Sequence, residues 1–257
     1  MIRFGVCAKP EQLQDVIDAG YNYIELNLTK ITAMEEAEFA ALEETIQRAP
    51  IKAEAFNGFC PSSLLIVGEN ADPEAFAAYA EKALSRAARL GGKIAVLGAG
   101  KSRCVPESFS RETACRQLRE AFDFCATVAS KYGITVALEP LNSRETNLVN
   151  TVSDALTICK QVNNPYGKCL ADFFHVYQSG ESLDAIREAG DLLVHTHIAN
   201  PQRDMPHSEE DLALCKQWAQ ALKDCRYSGR LSLEGHYAPD FQKDIADTRK
   251  VLEIFNQ

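Results

Sequence analysis

The chain has 257 residues, 46% of them hydrophobic, enough to bury a large core either as one α/β barrel or as two smaller domains. A net charge of -9 and an isoelectric point near 5.2 argue against a binder of duplex nucleic acid, which needs a basic face to replace counterions. There is no run of 18 apolar residues to cross a membrane, and Met1 leads at once into IRFGVCA without the basic and long apolar segments of a secretory leader, so a cytoplasmic protein is expected.

From one end to the other, short apolar runs alternate with amphipathic stretches, the signature of repeated strand-helix units around a parallel sheet. Strands are predicted at 3–8, 22–27, 52–57, 93–98, 135–140, 168–173, 192–198 and 230–235, each bounded by Gly, Pro, Asn or charged residues. Helices are predicted between and after them at 10–19, 35–48, 73–90, 110–131, 152–162, 182–189, 209–226 and 241–256. Asp72 and Ser110 are expected N-caps, with acidic residues in the following turn. Gly20, Gly91, Gly133, Gly190 and Gly229 each follow a helical stretch, where a left-handed residue closes the helix and Gly tolerates that geometry best. Eight pairs in order, with no linker or change of composition, predict an α/β protein: a single (β/α)8 TIM barrel over residues 1–257. Segments 58–71, 99–109 and 199–208 are long and follow strands, which places them at the barrel mouth.

The nine cysteines, at 7, 60, 104, 115, 125, 159, 169, 215 and 225, are odd in number and contain no CxxC pair. They fit reduced thiols packed in a protein interior better than a disulfide framework.

Four side chains fall near the carboxyl ends of apolar runs: Glu139 in ITVALEPLN, Asp172 in KCLADFFHV, His197 in LLVHTHIAN and Glu234 in RLSLEGHY. They lie 25 to 37 residues apart, one strand-helix unit each, so only a closed parallel barrel gathers them. A buried charge must be paired or metal-bound; the plainer alternative for each carboxylate is a Lys or Arg partner at the rim. Together the four make a mostly oxygen-donor set for one divalent cation, with Mn²⁺ expected and Mg²⁺, Co²⁺ or Zn²⁺ as alternatives.

His195 shares a strand face with His197 and is expected to support its imidazole. Asp172 and His175 are three apart, so a turn after the strand is needed to bring both to one site. His207 and His236 are read as structural or solvent-facing. Gly98-Ala99-Gly100-Lys101-Ser102 looks like the end of a phosphate-binding loop, but Ala95 stands where that motif needs its first Gly. Lys101 and Arg103 are therefore expected to be solvated rim charges, or contacts to an anionic part of a substrate.

These residues, in order and spacing over essentially the whole chain, resemble the xylose isomerase-like barrels, a family of sugar isomerases and epimerases, dehydratases and distant apurinic endonucleases. Within it the fit is best with ketose 3-epimerases of the tagatose and psicose type. The resemblance implies metal ligands at Glu139, Asp172, His197 and Glu234. It also implies substrate contacts from Glu145, six residues beyond the first ligand, His175, three beyond the Asp, and Arg203, six beyond the His. Asn150-Thr151 resembles the segment leading into the next helix. The loop GFCPSSLLIVGENAD has no counterpart assigned by the resemblance.

The chemistry implied is proton abstraction beside a carbonyl through a metal-stabilised enediolate, with Glu139 and Glu234 as the paired acid and base. Return of the proton to the opposite face gives epimerisation, return to the neighbouring carbon gives aldose-ketose isomerisation, and loss of a β-hydroxyl gives dehydration of the inosose or dehydroshikimate type. An apurinic endonuclease would need further His and Glu ligands for a three-metal cluster, and the chain has five His in all. A non-catalytic sugar-binding barrel would not need two facing carboxylates. The expected partner is a small sugar or sugar-like molecule, with no nucleic acid and no membrane; barrels of this kind often pair through exposed helices, and a homo-oligomer is compatible with that.

Overall fold

The computed structural model describes residues 1–257. Eight strands, β1 (Arg3–Cys7), β2 (Tyr23–Asn27), β3 (Lys52–Asn57), β4 (Ile94–Leu97), β5 (Thr135–Leu138), β6 (Gly167–Asp172), β7 (Leu193–Ile198) and β8 (Arg230–Leu233), pair in sequence order and all in parallel. β8 then pairs with β1 and closes the barrel. All eight predicted strands are present, each within about two residues of its expected ends. No helix is long and apolar enough to cross a membrane.

Ten α-helices surround the barrel: α1 (Leu13–Asp18), α2 (Leu28–Ala33), α3 (Glu36–Arg48), α4 (Pro73–Arg89), α5 (Arg111–Ser130), α6 (Val152–Val162), α7 (Phe173–Ser179), α8 (Asp184–Ala189), α9 (Glu209–Asp224) and α10 (Phe241–Leu252). The expected caps form: Asp72 accepts from the Ala75 amide at 2.9 Å and Ser110 from the Thr113 amide at 3.2 Å. Two helices, α2 and α7, were not expected. Each starts directly at the end of a strand, where Asn27 and Asp172 turn their side-chain oxygens onto the amides of Lys30 and Phe174. Sequence periodicity over six or seven residues is too short to reveal such a turn.

Gly20, Gly91, Gly133 and Gly190 take positive φ as expected, but Gly229 does not. The left-handed position after α9 is taken by Arg226, with φ of 58°. Gly229 is small for a different reason: a Cβ there would overlap the Tyr227 ring, whose hydroxyl donates to the carbonyl of Arg230 at the base of β8.

Two apolar layers hold this arrangement. The larger lies between strands and helices, with Phe4, Phe39, Phe122 and Phe173 among its fully buried residues. The smaller fills the lower lumen with Tyr23, Ala55, Ile94, Val96, Ala137 and Leu170. Above it the inward positions change character. Glu25, His195 and His197 are fully buried there, and Glu139, Asp172 and Glu234 stand at the strand ends above them.

A candidate metal centre at the barrel mouth

β5 to β8 are consecutive neighbours in the barrel, and each delivers one of the four expected ligands at its carboxyl end. Glu139 follows β5, Asp172 ends β6, His197 lies near the end of β7, and Glu234 follows β8. One ligand atom from each of the four lies within 4.8 Å of the others. His197 Nδ1 is 3.3 Å from Glu139 Oε1 and 3.1 Å from Glu234 Oε2. Asp172 Oδ1 accepts from the Phe174 amide, while its Oδ2 is buried without any hydrogen-bond partner.

A buried carboxylate oxygen left unpaired carries its full desolvation cost. Burial, opposed by His175 and aided by the charges of Glu234 and Glu139, pushes the Asp172 carboxyl up to about 6. Burial also works against the Glu234 carboxylate and the His197 imidazolium, but here their mutual attraction outweighs it, lowering the first and raising the second well above the usual histidine range. Three carboxylates and one imidazole, with an orphaned oxygen among them, form a donor set for a cation. The donor set fits a hard or borderline divalent ion, and all four residues are placed to hold it.

Each of these side chains is held from behind. At Gly98 a Cβ would overlap Glu139 Oε2, so the end of β4 leaves room for that carboxylate only because it has no side chain. Arg103 Nη2 donates to the Glu139 carbonyl at 2.6 Å and Nη1 to the Leu97 carbonyl at 3.2 Å. Asn57, at the end of β3, donates to Glu234 Oε1 at 3.0 Å. His197 Nε2 faces away from the carboxylate cluster and lies 3.0 Å from Glu25 Oε1.

The three residues expected to contact substrate border the same cluster. α7 begins at Asp172, and its first turn carries His175 back so that Nε2 lies 3.6 Å from Asp172 Oδ2 and 3.9 Å from Glu145 Oε1. His175 Nδ1 accepts from the Asn142 amide at 3.2 Å, which leaves Nε2 as the protonated nitrogen, and Nε2 is buried without a partner. Arg203 Nη1 donates to Glu145 Oε1 at 3.0 Å, Nη2 lies 4.0 Å from Glu234 Oε2, and the guanidinium sits over the Phe174 ring at 4.9 Å. A tight turn aims Arg203: Asn200 accepts its amide at 2.8 Å, and Arg203 takes a φ of 69°.

Several expectations are corrected. Arg103 is neither a rim charge nor a substrate contact but fully buried, with Nη1 and Nη2 donating to backbone carbonyls and Nε left without a partner, and burial lowers it to about 10. Lys101 is exposed and lines a cavity of about 300 Å³ with Arg144 and Glu145. His195 is buried as expected, and it reaches His197 through a shared carboxylate rather than directly: its Nε2 lies 2.8 Å from Glu25 Oε2, while Oε1 meets His197. His236 is exposed beside Asp204, and His207 bonds Asp244 at 2.6 Å, in keeping with structural or solvent-facing roles.

Glu25, Asn57 and Asn142 were missed. For Glu25 the signal was present, since YIELN interrupts an apolar strand with a carboxylate just as VALEP does. Cys7, at the end of β1, also reaches the cluster, its thiol grouping with His197 and Glu234. All nine cysteines are free, as expected.

The loop after β3 does not swing free over this mouth. Ile66 donates to the Ser102 carbonyl at 2.7 Å, and Gly68 exchanges hydrogen bonds of 2.8 and 3.1 Å with Gln117 of α5.

Known proteins are similar to this chain in sequence and in fold. The family model described as xylose isomerase-like TIM barrel matches residues 13–256. A D-psicose 3-epimerase of Agrobacterium fabrum is 27% identical over 230 residues, covering 86% of this chain and 77% of that protein. An L-ribulose 3-epimerase of Methylomonas is 27% identical over 241 residues, covering 90% and 78% respectively. Both are named as epimerases, enzymes of the isomerase class. The crystal structure of a D-psicose 3-epimerase in the presence of D-fructose superposes with a TM-score of 0.82 at 22% identity, over 100% of both chains. With a closed eight-stranded barrel and a family match over nearly its whole length, this chain belongs to the xylose isomerase-like TIM barrel family.

Proposed function

We propose that the chain is a divalent-metal-dependent ketose 3-epimerase or a closely related sugar isomerase, with Glu139 and Glu234 moving the proton. The observation that carries this reading is the placement of those two carboxylates. β5 and β8 flank β6 and β7, so Glu139 and Glu234 enter from the two sides of the Asp172–His197 pair, each within 3.3 Å of the same imidazole nitrogen. Two bases on opposite sides of one carbon suit inversion: one removes the proton and the other returns it from the far face.

Glu139, Asp172, His197 and Glu234 would hold a divalent ion, which would supply Lewis acidity to the substrate carbonyl. The chain's own residues do the rest. His175 Nε2–H is a buried donor with nothing else to bond, placed to hold a sugar oxygen as negative charge grows on it. Arg203, braced on Glu145 and stacked over Phe174, offers a second donor beside it. Glu145 accepts from Arg203 and from Asn142 and keeps capacity for a sugar hydroxyl. Relatives named for D-psicose and L-ribulose point to ketohexoses and ketopentoses as the substrate class.

The test is product analysis by chromatography after incubating Mn²⁺-loaded protein with D-psicose, D-fructose, D-tagatose and L-ribulose. The C3 epimer, with mass conserved, is the expected product. A product lighter by one water would move the reading to a dehydratase, and recovery of every sugar unchanged would overturn the proposal.

A further inference from the structure

Glu25 is fully buried in β2, and the groups that pair with it are two histidines from β7, across the lumen. Each of its oxygens is committed to a different ring: Oε2 to His195 Nε2 at 2.8 Å, Oε1 to His197 Nε2 at 3.0 Å. No lysine or arginine lies within ion-pair distance of it. The backbone is adjusted at this point as well, for the pairing of β2 with β3 shifts register between Ile24 and Glu25. A carboxylate in a dry lumen is costly to keep, and its neighbours below are Tyr23 and apolar side chains. Nothing in the proton transfer assigned to Glu139 and Glu234 uses it.

We propose that Glu25 is a positioning residue for the metal centre. It accepts the Nε2–H of His197, so that when a cation replaces the Nδ1 proton the Nδ1 lone pair points at the space shared by Glu139, Asp172 and Glu234. An imidazole can present only one lone pair, and the nitrogen that presents it is decided by what the other nitrogen meets. His195 completes the device. With its Nε2–H on Oε2 at 2.8 Å, it occupies the second oxygen of Glu25 and stops the carboxylate from turning away from His197. The inference rests on the metal-centre part of the proposed function but not on the identity of the sugar.

The experiment is calorimetric titration of the metal-stripped full chain with Mn²⁺ in the absence of sugar, for wild type, Glu25→Met and Glu25→Gln, each checked for folding by circular dichroism. Glu25→Met removes both acceptor oxygens at similar size, whereas Glu25→Gln keeps one that can still face His197. The expected result is Mn²⁺ binding weakened about 10- to 100-fold in Glu25→Met, the range found when such supporting partners are lost, with Glu25→Gln clearly tighter than Glu25→Met. A role in folding alone would change the melting temperature and leave the affinity of the folded protein unaltered. Wild-type affinity in folded Glu25→Met, or Glu25→Gln as weak as Glu25→Met, would overturn the inference and leave the metal centre standing. Failure of the wild type to bind Mn²⁺ would overturn both. If Glu25→Met does not fold, ¹⁵N NMR of ring-labelled wild type loaded with diamagnetic Zn²⁺ decides: a proton on His197 Nε2 supports the inference, and a proton on Nδ1 overturns it.

Discussion

Along β5 and β6 two residues of chain separate two kinds of construction. Ala137 and Leu170 fill the lower lumen with apolar surface that burial stabilises, while Glu139 and Asp172, two residues further on in each strand, put carboxylates where burial works against them. The lower layer belongs to a fold that needs no ligand to be satisfied. The upper layer is assembled against its own electrostatics, and Asp172 Oδ2 and His175 Nε2 are left without partners. Sites that break the rules of good packing are where function is expected, because the cost has been kept rather than removed. The two layers should therefore respond in opposite ways to substitution.

The largest effect should come from the upper layer and leave the fold intact. Glu139→Gln and Glu234→Gln are each expected to lower turnover by about 10²–10⁴. The melting temperature of metal-free Glu139→Gln should change little, whereas metal-free Glu234→Gln should melt slightly lower, because that carboxylate gains more from His197 than burial costs it. Steady-state rates and a thermal melt on the same samples check this; a large loss of stability in either variant would break the comparison.

The converse is expected of the apolar packing that carries the strands from outside, here the layer between β6 and α5. Phe122→Ala empties a fully buried site packed against Gly167 and is expected to cost about 3–5 kcal/mol, read by denaturant unfolding. Activity per folded molecule should stay near wild type.

Metal removal should act on the upper layer alone. With Mn²⁺ at a hundredfold its dissociation constant, binding adds about 2.7 kcal/mol to the folded state, a rise of roughly 5–10 °C in melting temperature for a chain of this size. In Glu139→Gln that rise should shrink, and calorimetric scans with and without the ion test it.

Arg103 joins the two regions, since it is buried like a core residue and bonded to the carbonyl of Glu139. Arg103→Leu leaves that carbonyl and those of Leu97 and Val149 without these donors, at a cost of about 1–3 kcal/mol, and turnover should fall with stability. A variant that loses stability at full turnover would show that Arg103 serves the core alone. The smallest effect, about 1 kcal/mol with unaltered activity, is expected for Ser110→Ala at the entry of α5, measured by urea unfolding.

Much of this was legible in the sequence because a barrel strand is short and apolar, and a charge at its end stands out. Glu139, Asp172, His197 and Glu234 were each visible in that way, and parallel closure made their convergence a geometric consequence. Glu25 carried the same signal but lies inside its strand, with partners 170 and 172 residues away across the lumen, so only the closed barrel shows what it meets. Arg103 gave no signal, since its burial depends on how the segments after β4 and β5 fold over each other. α7 was hidden because seven residues of DFFHVYQS read equally well as strand or helix until Asp172 is seen to cap it. Asp172 thus has two duties, and the helix it starts is what delivers His175 to the site.

The measurement that tests the central claim most directly is solvent-deuterium incorporation followed by proton NMR, with D-psicose and metal-stripped protein in D₂O before and after addition of Mn²⁺. The expected result is deuterium at C3 that appears only with the metal and disappears in both Glu139→Gln and Glu234→Gln. Exchange that proceeds without the metal, or that survives loss of both carboxylates, would contradict the assignment of the barrel mouth as a metal-dependent proton-transfer site.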